Sequence, residues 1–318
     1  MIEDMLDGVI NLNKPGGITS QETVSRVKRI LGARRAGHAG TLDPQATGVL
    51  LVCVGKATKI TPFLMGTSKG YMARMKLGEE TDTQDAWGKV VKSSPVPPLG
   101  REEIETALMK FRGEVQQVPP MYSALKVKGR RLYSLARKGQ EIEREPRGVY
   151  IPLLALEEFS SPFLGLNIRC SKGTYVRTLC HDLGALLGCG AHLVALQRMS
   201  VGSFKIQDAL SLEELDSLAI KGKLEEALLP MDEALSFLPA LMVEEKYVER
   251  VLHGAPVQAE WAAESTDAFA RGDAVRVKSR DGRLLAVGEA VMGSRELLHG
   301  EEGSQALKMR RVLAESSP

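Results

Sequence analysis

The chain has 318 residues, of which 43% are hydrophobic and 26% charged; this is enough apolar content for a sizeable core and too much for a chain disordered in bulk. The formal net charge is only +2, and no apolar run approaches the roughly 20 residues of a membrane-spanning helix. The acidic start, residues 1–8, lacks the basic and apolar regions of a secretory signal, so a soluble, cytoplasmic protein with no membrane partner is expected. The length predicts two domains.

In chain order, residues 9–15 (VINLNKP) read as a short strand entering a Gly16-Gly17 turn. Thr19 and Glu22 have capping-box spacing, and the periodicity predicts a helix over 20–31. That helix buries Val24, Val27 and Ile30 or Leu31 and turns Arg26, Lys28 and Arg29 outward. Asp43 follows in a loop with Gly37, Gly40 and Gly48, with Pro44 directly after it. Proline biases the preceding residue towards an extended backbone, so Asp43 reads as a carboxylate on a constrained loop. By these features alone it is either a turn cap or a catalytic group. The continuous apolar run 49–55 predicts a strand buried on both faces.

Residues 71–77 alternate and predict another strand, with Tyr71 at its start. Residues 93–100 are Pro-rich and read as a linker, followed by a helix over 101–112 carrying Ile104, Leu108 and Phe111 on one face. Two prolines at 119–120 bar a regular helix there, and a short helix over 128–138 is expected after a turn at Gly129. Residues 164–171 read as a strand, with Thr174 a plausible N-cap for a helix to about 187. Residues 211–229 are amphipathic, acidic and helical in pattern. A boundary falls near 230–239, and the remainder alternates short strands (273–277, 282–290) with turns.

Charge is unevenly spread. Residues 23–42 hold five basic side chains and no acids, and residues 122–139 hold six (Lys126, Lys128, Arg130, Arg131, Arg137, Lys138) and no acids, whereas 211–235 hold seven acids. Basic tracts interleaved with Tyr122 and Tyr133 suit a polyanion groove, although solvated helix faces have the same composition. No P-loop or dinucleotide fingerprint is present. Cys180, His181, Cys189 and His192 fit none of the usual zinc spacings, so buried reduced thiols are expected, with no metal and no cofactor.

Five separated strings carry a resemblance: NLNKPGGITS (11–20), GHAGTLDPQATGVLLVCVGKATK (37–59), LGEETDTQDAWG (77–88), PPMYSALKVKGRRLYSLAR (119–137) and CSKGTYVRTLCHDLG (170–184), completed by QRMSVGSF (197–204). Together they resemble the bacterial TruB family of tRNA pseudouridine synthases across nearly all of 9–206. The resemblance implies an α+β fold: a catalytic domain around a mixed, mostly antiparallel sheet over 1–236, with an RNA-gripping insertion at about 116–148. The tail, 237–318, is more loosely similar to a small β-rich PUA-type RNA-binding domain. The implied reaction converts the T-loop uridine at tRNA position 55 to pseudouridine without a cofactor.

By the same resemblance Asp43 is the nucleophile, Arg177 its partner, and Tyr71 the ring stacked on the target uracil and a candidate for proton transfer. A flipped base suits an aromatic face, although a buried core tyrosine has the same signature. Direct attack on C1′ and assistance to elimination both fit a carboxylate. His38 either fills the space vacated by the flipped base or bonds the loop backbone. Asp85 bonds nearby side chains or RNA, Tyr175 packs on Tyr71 or the base, and Lys14 and Pro15 support the loop. Lys126, Lys128, Arg130 and Arg131 are expected to grip the tRNA T-arm on an element mobile without RNA. A monomer with no obligatory protein partner is implied. A guide-RNA-dependent, dyskerin-like synthase and a tRNA-folding chaperone are the alternatives.

Overall fold

A computed structural model describes residues 6–123, 125–127, 130–131, 140, 142–265, 267–297 and 299–314. In chain order the first strands are β1 (Gly8–Lys14), β2 (Ala36–His38), β3 (Thr47–Val54), β4 (Lys69–Leu77), β5 (Glu79–Thr81) and β6 (Val90–Ser93). Next come β7 (Gly113–Gln117), β8 (Lys126–Val127), β9 (Arg130–Arg131), β10 (Arg147–Ile151), β11 (Leu153–Ser160), β12 (Phe163–Cys170), β13 (Ala191–Val201) and β14 (Phe204–Lys205). The main sheet has the order β1-β3-β13-β4-β12-β11, with β2 added on β3 and β14 on β13. Every pairing in it is antiparallel except the short β13–β3 contact, so the sheet is mixed and mostly antiparallel.

The run 49–54 is continuously apolar because both faces of β3 are covered. Val49, Leu51 and Cys53 join a core with Ala57, Ile60, Leu64 and Leu235, while Leu50, Val52 and Val54 pack under Val24, Val27, Leu212 and Leu215. Helix α1 (Ser20–Ile30) therefore sits on one face of β1 and β3, burying Val24 and Val27 and leaving Arg26, Lys28 and Arg29 in solvent. Thr19 Oγ1 accepts the Glu22 N–H at 3.0 Å, but the Glu22 carboxylate accepts from Arg26 at 2.9 Å rather than closing a capping box. A further core beneath β4, β11 and β12 is filled by α2 (Arg101–Met109) and α3 (Val176–Leu186).

Several expected elements are shorter or broken, each for a local reason. Helix α2 stops at Met109, and residues 110–112 form turns into Gly113, whose φ of 82° no helix accommodates. The 211–229 segment is α4 (Leu212–Ile220) followed by a separate 3-10 turn, Leu224–Ala227. Gly222 reverses the chain at φ 68°, which lets Leu229 reach back and bond Val9 at 2.9 Å both ways. Thr174 is not the cap of α3. Its hydroxyl donates to the Ser171 carbonyl at 3.0 Å, and Tyr175 takes the N-cap position. Arg130 and Arg131, expected in a helix, lie in β9 paired antiparallel with Lys126–Val127; the rest of that expected helix lies outside the described residues.

The tail forms a six-stranded sheet of order β16-β20-β19-β18-β15-β17, from β15 (Ala240–Val243), β16 (Val257–Gln258), β17 (Ala262–Ser265), β18 (Ala274–Ser279), β19 (Leu284–Ala290) and β20 (Gln305–Val312). It has its own core around Val251, Trp261, Val275 and Val277. Val287 and Leu313 instead pack with Ala57, Ile60 and Leu64 of the first domain, so apolar contact joins the two. No described helix is long and apolar enough to cross a membrane.

Candidate active site

The Asp43 loop is clamped from below. Lys14, fully buried at the end of β1, donates from Nζ to the carbonyls of Pro15 (2.8 Å), Pro44 (3.0 Å) and Ala46 (2.8 Å). Ser20 at the start of α1 closes the other side, donating to the Leu42 carbonyl at 3.0 Å and accepting its N–H at 2.8 Å. Burial pulls the Lys14 ammonium down to about 8, against the opposing pull of Asp43. It still carries most of its charge at neutral pH.

Arg177, in the first turn of α3, meets that loop. Its Nε lies 2.9 Å from Asp43 Oδ2, and its Nη2 donates to Oδ1 at 3.3 Å, giving a two-point guanidinium–carboxylate contact. The same guanidinium donates to the carbonyls of Tyr122 (2.8 Å) and Thr83 (3.1 Å) and lies 3.8 Å from Asp85. Arg177 is buried, while the Asp43 side chain keeps 33% of its surface. Burial raises the Asp43 carboxyl above its ordinary value; Arg177 opposes this and Asp85 reinforces it.

Asp85 is buried and fully engaged, accepting from Gln45 Nε2 (2.9 Å), Thr83 Oγ1 (2.6 Å) and the Trp87 N–H (3.0 Å). Gln45 is two residues from Asp43, so the Asp85 turn and the Asp43 loop are tied directly. Tyr71, at the start of β4, is buried, which raises its phenol above the usual range. His38, in β2, has a buried Nδ1 without a hydrogen-bond partner, and burial followed by the Arg198 charge lowers its imidazole, keeping it neutral. The Tyr175 main chain exchanges bonds with the buried Gln117 amide at 3.0 and 3.3 Å, pinning the start of α3 to β7. Gln117 and Tyr175 thus act on Arg177 through the backbone. Among the expected RNA contacts, Lys126, Arg130 and Arg131 belong to the β8–β9 hairpin, and Lys128 lies outside the described residues. The four cysteines are free and buried; burial pushes the Cys53 and Cys170 thiols up to about 11 and Cys180 to about 12.

One residue escaped sequence reading altogether. Arg198, in β13, is 1% exposed and donates to the carbonyls of Val49 (2.6 Å), Gly40 (3.0 Å) and Thr41 (3.4 Å), and its cross-strand partner in β4 is Tyr71. It thus holds the strand–loop junction beside the tyrosine. Its approach explains Gly48: at φ 102°, a Cβ there would meet the Arg198 carbonyl oxygen at 2.2 Å. The only available signal was a charged residue inside a strand-like run. Arg198→Met is expected to strand three backbone acceptors, each costing about 1–3 kcal/mol if left buried, and so to destabilise by more than about 3 kcal/mol. Denaturant midpoints measure this; a loss under 1 kcal/mol would contradict the clamp.

A carboxylate paired to a buried guanidinium, on a loop held by the buried Lys14 and near the buried Tyr71, defines a site able to do chemistry on a bound substrate. Family models match in chain order: the TruB family pseudouridylate synthase N-terminal domain over 28–176, the tRNA pseudouridylate synthase B C-terminal domain over 177–236, and a PUA domain over 239–313. The chain is 43% identical over 290 residues to the tRNA pseudouridine synthase B of Pelotomaculum thermopropionicum, covering 90% of this chain and 92% of that one. It is 45% identical over 284 residues to the enzyme of the same name from Dechloromonas aromatica, covering 89% and 91%. Among solved structures, a Cbf5–Nop10–Gar1 complex has a chain 30% identical with a TM-score of 0.80, covering 97% of this chain and 85% of that one. An H/ACA ribonucleoprotein bound to a substrate RNA has one 28% identical with a TM-score of 0.77, covering 96% and 85%. The chain belongs to the TruB family of pseudouridylate synthases.

Proposed function

We propose that this protein isomerises uridine 55 in the T loop of tRNA to pseudouridine, with Asp43 as the nucleophile acting on a flipped-out base. The observation that carries this reading is the two-point Arg177–Asp43 contact on a loop clamped by Lys14 and Ser20. The glycosidic N1–C1′ bond breaks, the uracil turns, C5 joins C1′, and the C5 proton is lost as the ring regains its double bond while N1, freed from the sugar, takes up a proton. Product and substrate are isomers, so no net oxidant or energy source enters. Tyr71 supplies the aromatic face against the extruded ring and is the candidate for moving a proton. His38, kept neutral, fills the space the base vacates in this reading. Lys126, Lys128, Arg130 and Arg131 hold the T-arm backbone, residues 1–236 carry the chemistry, and 237–318 add an RNA-binding surface. The higher identity to enzymes named tRNA pseudouridine synthase B than to the Cbf5 chain favours a stand-alone monomer over a guide-RNA-dependent assembly.

Pseudouridine mapping on an unmodified tRNA transcript tests the reading, with wild type and Asp43→Asn side by side. Conversion at the T-loop uridine by wild type alone is expected. Conversion by neither, with binding intact, would favour an assembly-dependent enzyme or a folding chaperone.

The pH dependence has a definite sign. Asp43 must be ionised to act, and its carboxyl is raised by burial. The single-turnover rate is therefore expected to climb with pH through that raised value and then level off. A rate that falls across the same acid range as pH rises contradicts an ionised Asp43.

A further inference from the structure

Trp87 has no role in the chemistry above, yet its placement is unusual. It is 65% exposed, on the turn between β5 and β6. That turn is unusually constrained. Thr81 Oγ1 donates to the Asp85 carbonyl at 2.7 Å, Asp82 Oδ1 accepts the Lys89 N–H at 2.8 Å, and the Ala86 N–H donates to Leu193 of β13 at 2.9 Å. The Trp87 N–H itself donates to Asp85 Oδ1 at 3.0 Å. Gly88 closes the turn so tightly that a Cβ there would lie 2.4 Å from both Asp82 and Thr83. The turn is part of the active-site network through Gln45–Asp85 and Arg177–Thr83. The backbone of Trp87 is thus fixed two residues from a carboxylate that touches the Asp43 loop, with its indole in solvent and the exposed Lys89 two residues further on.

Leaving an indole exposed forfeits the stabilisation its burial would bring. An exposed aromatic on a fixed backbone, on a turn tied to the candidate active site, offers a face on which an unpaired base can stack. We propose that Trp87 is a stacking platform for a nucleobase neighbouring the reacting uridine, adding RNA affinity without touching the reacting atoms. This rests on the RNA-modifying reading of the adjacent site.

The chain has two tryptophans, and the other, Trp261, is 5% exposed and stacked on Tyr247 in the tail. Indole emission of wild type, Trp87→Phe and Trp261→Phe is followed while an unmodified tRNA transcript is added. Quenching is expected in wild type and Trp261→Phe and is expected to be lost in Trp87→Phe. Trp87→Ala is expected to weaken RNA affinity roughly 5- to 100-fold, the span of one lost base stack, with Trp87→Phe retaining most of it. The single-turnover rate at saturating RNA is expected to stay within about twofold of wild type, since stacking on a neighbouring base acts on binding and not on the reacting atoms. Unchanged quenching in Trp87→Phe, or unchanged affinity in Trp87→Ala, overturns the proposal. Conversion of the same RNA by wild type is measured in parallel. Conversion with a silent Trp87 removes the stacking platform and leaves the enzymatic reading. Quenching and affinity loss without conversion keep the platform and remove that reading.

Discussion

If Asp43 acts on the reacting atoms as proposed, Asp43→Asn is expected to lower the single-turnover rate of pseudouridine formation by at least about 10⁴-fold, the scale on which loss of such a group is felt. The amide keeps the size of the carboxylate and an oxygen able to accept from Arg177, so the loop held by Lys14 and Ser20 has no reason to move. What is lost is the negative charge. RNA affinity is therefore expected to stay within about threefold of wild type, since the change removes a negative charge from a site built for a polyanion. A variant retaining more than a tenth of the wild-type rate would exclude Asp43 from the chemistry. The carboxylate also carries a stability consequence with a fixed sign. Its folded value lies above its unfolded one, so the folded chain holds this proton more tightly. Its contribution to stability is full at acid pH and is lost as pH rises through the folded value. The ionised, active form is the one the fold favours less.

Arg177→Met is expected to cost about 10²- to 10⁴-fold in the same rate. Removing one partner of a buried ion pair costs about 3–5 kcal/mol, and 1.36 kcal/mol is a factor of ten. In the free protein Asp43 keeps a third of its surface, so water offsets part of that loss and the effect on stability falls at the lower end. Under a bound base the offset disappears, and the full cost is expected in the rate. The Tyr122 and Thr83 carbonyls also lose their donor, which loosens the chain at Tyr122 and the Asp85 turn. The rate–pH curve separates electrostatics from packing. Because Arg177 holds the Asp43 value down, its removal is expected to move the acid limb to higher pH. Arg177→Lys keeps the charge without the planar fork, so it is expected to restore the limb more fully than the rate. A methionine variant with an unmoved limb would leave Arg177 a purely structural residue.

Local chemistry determined much of this protein directly. Val49 to Val54 read as a doubly covered strand because only such a strand tolerates an unbroken apolar run, and β3 is covered on both faces. Val24 and Val27 marked the buried side of α1 by spacing alone. Alternation located β4, and the motif strings by themselves resemble the family. Tertiary structure decided the rest, because the deciding contacts join residues far apart in the chain. Arg177 and Asp43 are 134 positions apart, and Arg198 reaches Val49 across 149. No periodicity reports that a strand arginine will be buried against the backbone of a neighbouring loop. Gly48, in sequence one of three glycines in the Asp43 loop, is required because that arginine's backbone passes where a side chain would sit. The 211–229 pattern likewise supported one long helix until Leu229 found its partner on β1 and bent the chain back at Gly222. Periodicity reports which face of a segment is apolar, whereas a buried charge is placed by whichever distant carbonyls and carboxylates the fold brings within reach of it.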